Sequence, residues 1–408
     1  MRSGRGWLPV GLVALCFALG VVARGLNDSF SVFVPPLQAA FDADRASITG
    51  IYGASMLGIG FGGPLAGWLV DRLGPRGVAV GGVLCAGATA LLAPRADALW
   101  QLYGAIGVGL GGSSAALGGV FQATILGRWF TDRLGTALAV AYSANGVGVM
   151  LIAPLAQRLI EARDWRFALS TIGFGVLALA PLVLLLPWRR IAAGDPAIMA
   201  TRAAGATGAA AGRTVAQALR DPPFWNLTVT FALTSVAIYV LTPQVNAYLI
   251  QRGFTPAGAA DAYALMAVLM PVGMIGFNWL ADRGGRVFGA VAAYACTAVG
   301  IAALWWVRGP ADWIALGAFV VLFGSTMGSR GPMIATLAAI RYRGPHLGRI
   351  YGLVTFGMGV GAAAGAWLGG LAYDLTGGYG GVFALSLTAL GAGATGLVWE
   401  TRARTRPG

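Results

Sequence analysis

The 408-residue chain has no lysine, one histidine and three cysteines, and only 11% of its residues are charged. A soluble domain carries about 25% charged residues because its surface faces water. With less than half of that, most of this surface must face something else, and a soluble enzyme is excluded. Cys16, Cys85 and Cys296 each sit inside an apolar run, without metal-ligand or disulfide spacing. They read as small apolar residues. The single histidine, His346, falls in a short polar stretch, so it is expected to be solvated and no histidine relay runs through an apolar segment. Neither a bound cofactor nor a metal is expected.

Hydrophobic residues make up 57% of the chain and the mean hydropathy is +0.73. Apolar runs long enough to cross a bilayer, about 20 residues each, fall at 7–38, 47–70, 78–95, 99–127, 135–157 and 167–188. They resume at 224–249, 258–281, 287–307, 312–340, 348–373 and 379–399. The expected fold is an all-α membrane protein of twelve transmembrane helices in two pseudo-symmetric six-helix bundles. Residues 1–188 form the first bundle, 189–223 a polar Ala-, Gly- and Arg-rich cytoplasmic linker, and 224–408 the second bundle with a short tail. The first run imitates a secretory leader, but it stays apolar as far as Phe41, longer than a leader's apolar region. It is counted as the first span.

All 28 basic residues are arginines, and the net charge is +13. No basic helix or aromatic-interleaved patch suits nucleic acid; the arginines cluster between spans. With the N-terminus inside, nineteen fall in inner segments and seven in outer loops. Arginine enrichment on the cytoplasmic side then places both termini in the cytoplasm, and a bacterial plasma membrane is the expected location. The halves repeat. GWLVDRLG from Gly67 matches NWLADRGG from Asn278, RLGTALAVAYSANGVG from Arg133 parallels HLGRIYGLVTFGMGVG from His346, and FALS recurs at Phe167 and Phe383. An even number of spans per half gives both copies the same orientation.

The run GWLVDRLGPR, Gly67 to Arg76, closely resembles the Gly-x-Leu-x-Asp-Arg-x-Gly-x-Arg signature of the major facilitator superfamily. SVFVPPLQAAF, RWFTDRLGTALAVAYSANGVG, NAYLIQRGFT and GSRGPM are similar to stretches of its monocarboxylate and oxalate/formate transporter-like branch. Three features depart from that branch. The acidic Asp/Glu-Gly-x-Trp opening of its animal members is reduced here to Gly6-Trp7. No Arg lies between Ala259 and Ala281, where relatives carry one on the eighth helix, and Gln244 stands where many have a histidine. The resemblance implies an inner latch at Asp71, Arg72 and Arg76, with Asp282 and Arg283 as its second copy. It also implies a cavity lined by the first, fourth, seventh and tenth helices.

Charged and polar residues inside spans supply the candidate site. Arg24 and Asp28 share a helix face at i, i+4. A lone charge at mid-membrane costs about 2.5–3.5 kcal/mol on insertion scales, and opposite charges partly compensate. Asp28, the one acid well inside a span, is the proton-site candidate, with Arg24 as its partner. Arg330 lies about 16 Å from the inner end of its run, and its planar fork suits a carboxylate. Gln122, Gln244, Asn246 and Ser329 gather on the helices expected around the cavity, while Tyr142 and Asn145 lie where the resembled fifth-helix motif approaches substrate. No phosphate loop of Walker type is present, which disfavours ATP-driven transport. With two cations to one acid, the empty cavity would favour an anion. The expected function is secondary transport of a small organic anion, a monocarboxylate, together with a proton, by a monomer in the bilayer. An exchanger or efflux carrier of the same fold for another metabolite or a drug-like compound is the alternative.

Overall fold

The computed structural model describes residues 7–130, 134–196, 198, 213–342 and 347–403; the side chains of some residues within helices, Asp71 and Asp282 among them, are also outside the described set. His346 lies outside the described residues. Ten helices among those described are long and apolar enough to cross a membrane. Two more segments of similar length make twelve. The helices are α1 (7–41), α2 (45–73), α3 (75–92), α4 (Leu99–Gly127), α5 (Leu134–Ala162) and α6 (Trp165–Leu185). The second set is α7 (Pro222–Gln251), α8 (Pro256–Gly284), α9 (Arg286–Trp306), α10 (313–341), α11 (Leu347–Thr376) and α12 (Gly380–Ala403). The apolar runs read from the sequence agree with these helices to within a few residues at each end.

Four helices are interrupted. Helix α1 changes to a 3-10 turn at Ser29–Phe33 just before Pro35, which has no N–H and whose ring crowds the carbonyl four residues earlier. Helix α4 is widened to a π-helix at Tyr103–Leu110 and broken at Gly118. Pro243 forces a 3-10 turn at Thr242–Gln244 in α7, and α10 breaks between Thr326 and Arg330. In hydrocarbon every backbone group freed by such a break must find a protein partner. That requirement decides what several polar side chains do.

The repeated Asp-Arg-x-Gly runs have a common geometry. Gly74 joins α2 to α3 at φ 73°, and Gly285 joins α8 to α9 at φ 92°. Both positions need a residue without a Cβ, since positive φ with extended ψ is close to glycine-only backbone and costs another residue about 1–3 kcal/mol. Between the halves, α2 packs on α11 and α5 on α8; within them, α1 lies on α5 and α7 on both α11 and α12. Helices α1 and α5 approach so closely that a Cβ on Gly148 would stand 2.9 Å from the Cα of Gly25.

Candidate functional site

Helix α1 is apolar from its start to Arg24, and the turn just before its 3-10 segment carries Arg24 and Asp28 on one face. Arg24 Nε lies 3.0 Å from Asp28 Oδ2, and the two side chains keep only 17% and 12% of their exposure. The N–H does not point at the oxygen, so the contact is ionic rather than a directed hydrogen bond, and Nε has no hydrogen-bond partner. A buried pair offsets its desolvation only when other hydrogen bonds satisfy the carboxylate. Here Asp28 Oδ1 accepts from the Tyr52 hydroxyl and from Asn27 Nδ2, each at 3.2 Å. The Tyr263 hydroxyl donates to the Asp28 backbone carbonyl at 2.7 Å, and the Tyr239 hydroxyl lies beside the Arg24 guanidinium. Tyr52 stacks on Phe30 at 5.8 Å and leans on Tyr239 at 6.0 Å. Helices α1 and α2 of one half and α7 and α8 of the other therefore converge on a single ion pair.

Tyr52 and Tyr263 each stand seven residues into their helices, about 10 Å from the face that carries the α1–α2 turn. The pair is thus inside the span rather than at its rim. Above it, Asn246 Nδ2 donates to Ser31 Oγ at 2.6 Å, tying α7 to α1. Among the described residues, the hydrogen bonds that join the two halves lie at the level of Asp28 or closer to the α1–α2 face. Deeper in, the halves meet through apolar contacts such as the rings of Phe61 and Phe356, 4.8 Å apart.

The other residues read from the sequence are placed differently. Arg330 is 2% exposed and turned into its own bundle. Its guanidinium donates to the carbonyls of Thr326 at 3.2 Å and Ala293 at 3.0 Å and to the Thr297 hydroxyl, and it lies 4.7 Å from the centre of the Tyr294 ring. These partners belong to α9 and α10, so Arg330 anchors the α10 break and does not join the Arg24–Asp28 pair. Ser329 Oγ donates to the Thr326 carbonyl at the same break. Gln122 donates to the carbonyls of Cys16 and Leu117, bridging α4 to α1 beside Gly118. Gln244 donates to the Val240 carbonyl, left free because the Gln244 N–H bonds to Leu241 instead. Tyr142 donates a long hydrogen bond, 3.4 Å, to the Gly119 carbonyl, and Asn145, one turn on, is half-buried. Nothing in the sequence singles out Tyr52 and Tyr263. A tyrosine in an apolar run is ordinary, and only the packing of separate helices shows what its hydroxyl meets.

The sequence profile of the Major Facilitator Superfamily matches residues 12–343, most of the chain. The chain belongs to the major facilitator superfamily. It is a transporter-family protein and not an enzyme. Among its relatives, monocarboxylate transporter 13 of Bos taurus is 30% identical over 97% of this chain and 89% of its own length. The rat protein of the same name is 28% identical over the same shares, and the MFS-type transporter YcxA of Bacillus subtilis (strain 168) is 25% identical over 90% of this chain and 88% of its own. The crystal structure of a mutant of the nucleoside transporter NupG superposes with a TM-score of 0.75 at 13% identity, over 97% of this chain and 100% of that one, a likeness of fold.

The side chains of Asp71 and Asp282 lie outside the described residues, so their part in an inner latch stays an expectation. Their neighbours are described. Arg72 lies 4.5 Å from the ring centre of Trp68, and Arg283 lies 4.5 Å from that of Trp279, one helical turn back in each copy. Arg76 is exposed. A tryptophan at the end of a span, with a guanidinium over its face, anchors that end at the membrane–water boundary.

Proposed function

We propose that this major facilitator protein carries a small monocarboxylate together with a proton, by alternating access around the Arg24–Asp28 pair. The observation that carries the reading is the pair itself: one ion pair, nearly buried, contacted by helices of both halves. A proton on Asp28 would cancel the charge that holds Arg24. The guanidinium would then take a substrate carboxylate in its planar fork, where a buried cation without an anion is costly. Substrate and proton neutralise the pair together, so the loaded site crosses the low-dielectric interior with less penalty than either half-loaded state. Arg24 is given the carboxylate instead of Arg330, whose two terminal nitrogens already donate to α9 and α10 groups within its own bundle. The monocarboxylate transporters among the relatives support the same substrate class. The arginine bias supports an orientation with the linker face in the cytoplasm.

Uptake of a radiolabelled monocarboxylate panel into proteoliposomes, with and without an inward proton gradient, tests the reading. Accumulation of at least one short monocarboxylate, stimulated by the gradient and lost in Arg24→Gln, is the expected result. Exchange without any response to the gradient would instead favour an antiporter of the same fold.

A further inference from the structure

The α1–α2 face is held by a cluster centred on Arg45 and Asp374, neither of which belongs to the site above. Asp374, near the end of α11, reaches across the two halves to the first turn of α2. Its Oδ1 accepts the Arg45 backbone N–H at 3.1 Å and its Oδ2 the Ala46 N–H at 2.7 Å. The adjoining N–H, that of Ser47, is capped at 2.7 Å within its own half by Asp44. A helix start leaves its first N–H groups without intrahelical partners and carries positive partial charge. Here part of that capping is supplied in trans.

The Arg45 side chain, 9% exposed, completes the junction. Its Nε donates to Gln38 at 3.1 Å and its Nη1 to the Tyr379 hydroxyl, while the guanidinium stacks 4.1 Å above the Tyr373 ring. One end of α2 is therefore gripped by three residues of the second half: Tyr373, Asp374 and Tyr379. The sequence around Asp374 also repeats a spacing. Gly370, Asp374 and Gly377 stand as Gly67, Asp71 and Gly74 do at the other end of α2, and both final glycines have positive φ, 65° and 73°.

We infer that Asp374, with Arg45 and Tyr379, is a gate latch on the α1–α2 face. It holds that side shut in the present conformation and must release for the site to face that side. When the halves part there, Asp374 leaves two backbone N–H groups, and water has to replace a charged acceptor. The latch would be the counterpart, at the opposite face, of the one that the family resemblance assigns to Asp71. It sets the balance between the two access states and touches no substrate.

The test uses a reporter thiol beneath the latch. Ser31→Cys, in the full chain with its three native cysteines replaced by serine, is reconstituted and exposed to a membrane-impermeant maleimide from each side in turn. Asp374→Asn keeps the size and loses the charge, and is expected to raise the labelling rate from the α1–α2 side roughly tenfold, as for the loss of a charge-assisted hydrogen bond. Tyr379→Phe keeps the ring and should raise it by a smaller factor. Parental labelling rates in both variants, with parental melting temperatures, would overturn the latch. If Asp374→Asn does not fold, Tyr379→Phe alone decides, and an unchanged rate again overturns it. Labelling needs no substrate or proton gradient, so this result and the proposed function can fail separately.

Discussion

Arg24 and Arg330 carry the same guanidinium into low-dielectric surroundings, and their neighbours give them different work. Arg24 faces a carboxylate, whose charge a proton can cancel. Arg330 faces carbonyls and a hydroxyl, which no change of protonation near neutral pH releases. Arg330→Gln should therefore leave substrate affinity within about twofold of the parent and lower stability by roughly 1–3 kcal/mol for each acceptor left unsatisfied. Arg24→Gln should do the reverse, removing binding with a smaller loss of melting temperature. Equilibrium binding and thermal unfolding on the same two preparations check both. The Arg24–Asp28 pair was legible in the sequence because i, i+4 spacing on a continuous helix fixes a shared face. Arg330 was not, because the sequence showed a cation at mid-span without showing that α10 breaks at that point and turns it toward α9. The same ambiguity explains Gln122, Gln244 and Ser329: a polar residue in a membrane helix signals either a ligand or a freed carbonyl, and helix breaks were the missing information.

Helix ends and turns carry two further expectations. Gly74 and Gly285 adopt positive φ, and a Cβ at either would meet nothing within 4 Å, so substitution there adds backbone strain alone. Gly74→Ala and Gly285→Ala should each cost about 1–3 kcal/mol, with similar losses in the two copies, as measured by thermal unfolding in detergent. A large difference between them would mean that the two turns are not equivalent. At the start of α7, burial opposes ionisation of Asp221, but Arg341, Tyr342 and Arg213 around it prevail and hold its carboxyl below the ordinary 3.8. A depressed carboxylate pKa contributes stability that is complete above the unfolded value and fades as pH falls through the lower folded one. The stability gap between parent and Asp221→Asn should thus be constant from pH 5 to pH 8 and close only below about pH 3.8, where the unfolded carboxyl takes up its proton. A gap that narrows already between pH 7 and pH 5 would contradict this assignment. The spans themselves were the most legible feature, since length and apolarity fix them. The ends of α2 were less so: the cross-half cap from Asp374 joins residues 329 positions apart in the chain, and the Gly-x3-Asp-x2-Gly spacing around Asp374 does not say which helix start it meets.

At the scale of the molecule, two six-helix halves built from one repeated plan meet around the Arg24–Asp28 pair. Among the described residues, the hydrogen bonds between them lie at that pair or on one side of it. The repeat was visible as matching motifs, but the pairing of α2 with α11 and of α5 with α8 was not, because helix–helix contacts across the halves depend on small residues whose partners lie far away in sequence. The central claim is that Asp28 takes the proton and Arg24 the carboxylate. It is tested most directly by measuring two activities of Asp28→Asn in the same liposomes at fixed internal pH: counterflow exchange of a transported monocarboxylate, and its accumulation driven by an inward proton gradient. The account predicts that exchange persists while gradient-driven accumulation disappears. Accumulation that continues in Asp28→Asn would contradict it, placing the proton elsewhere and leaving the Arg24–Asp28 pair as a structural clasp in α1.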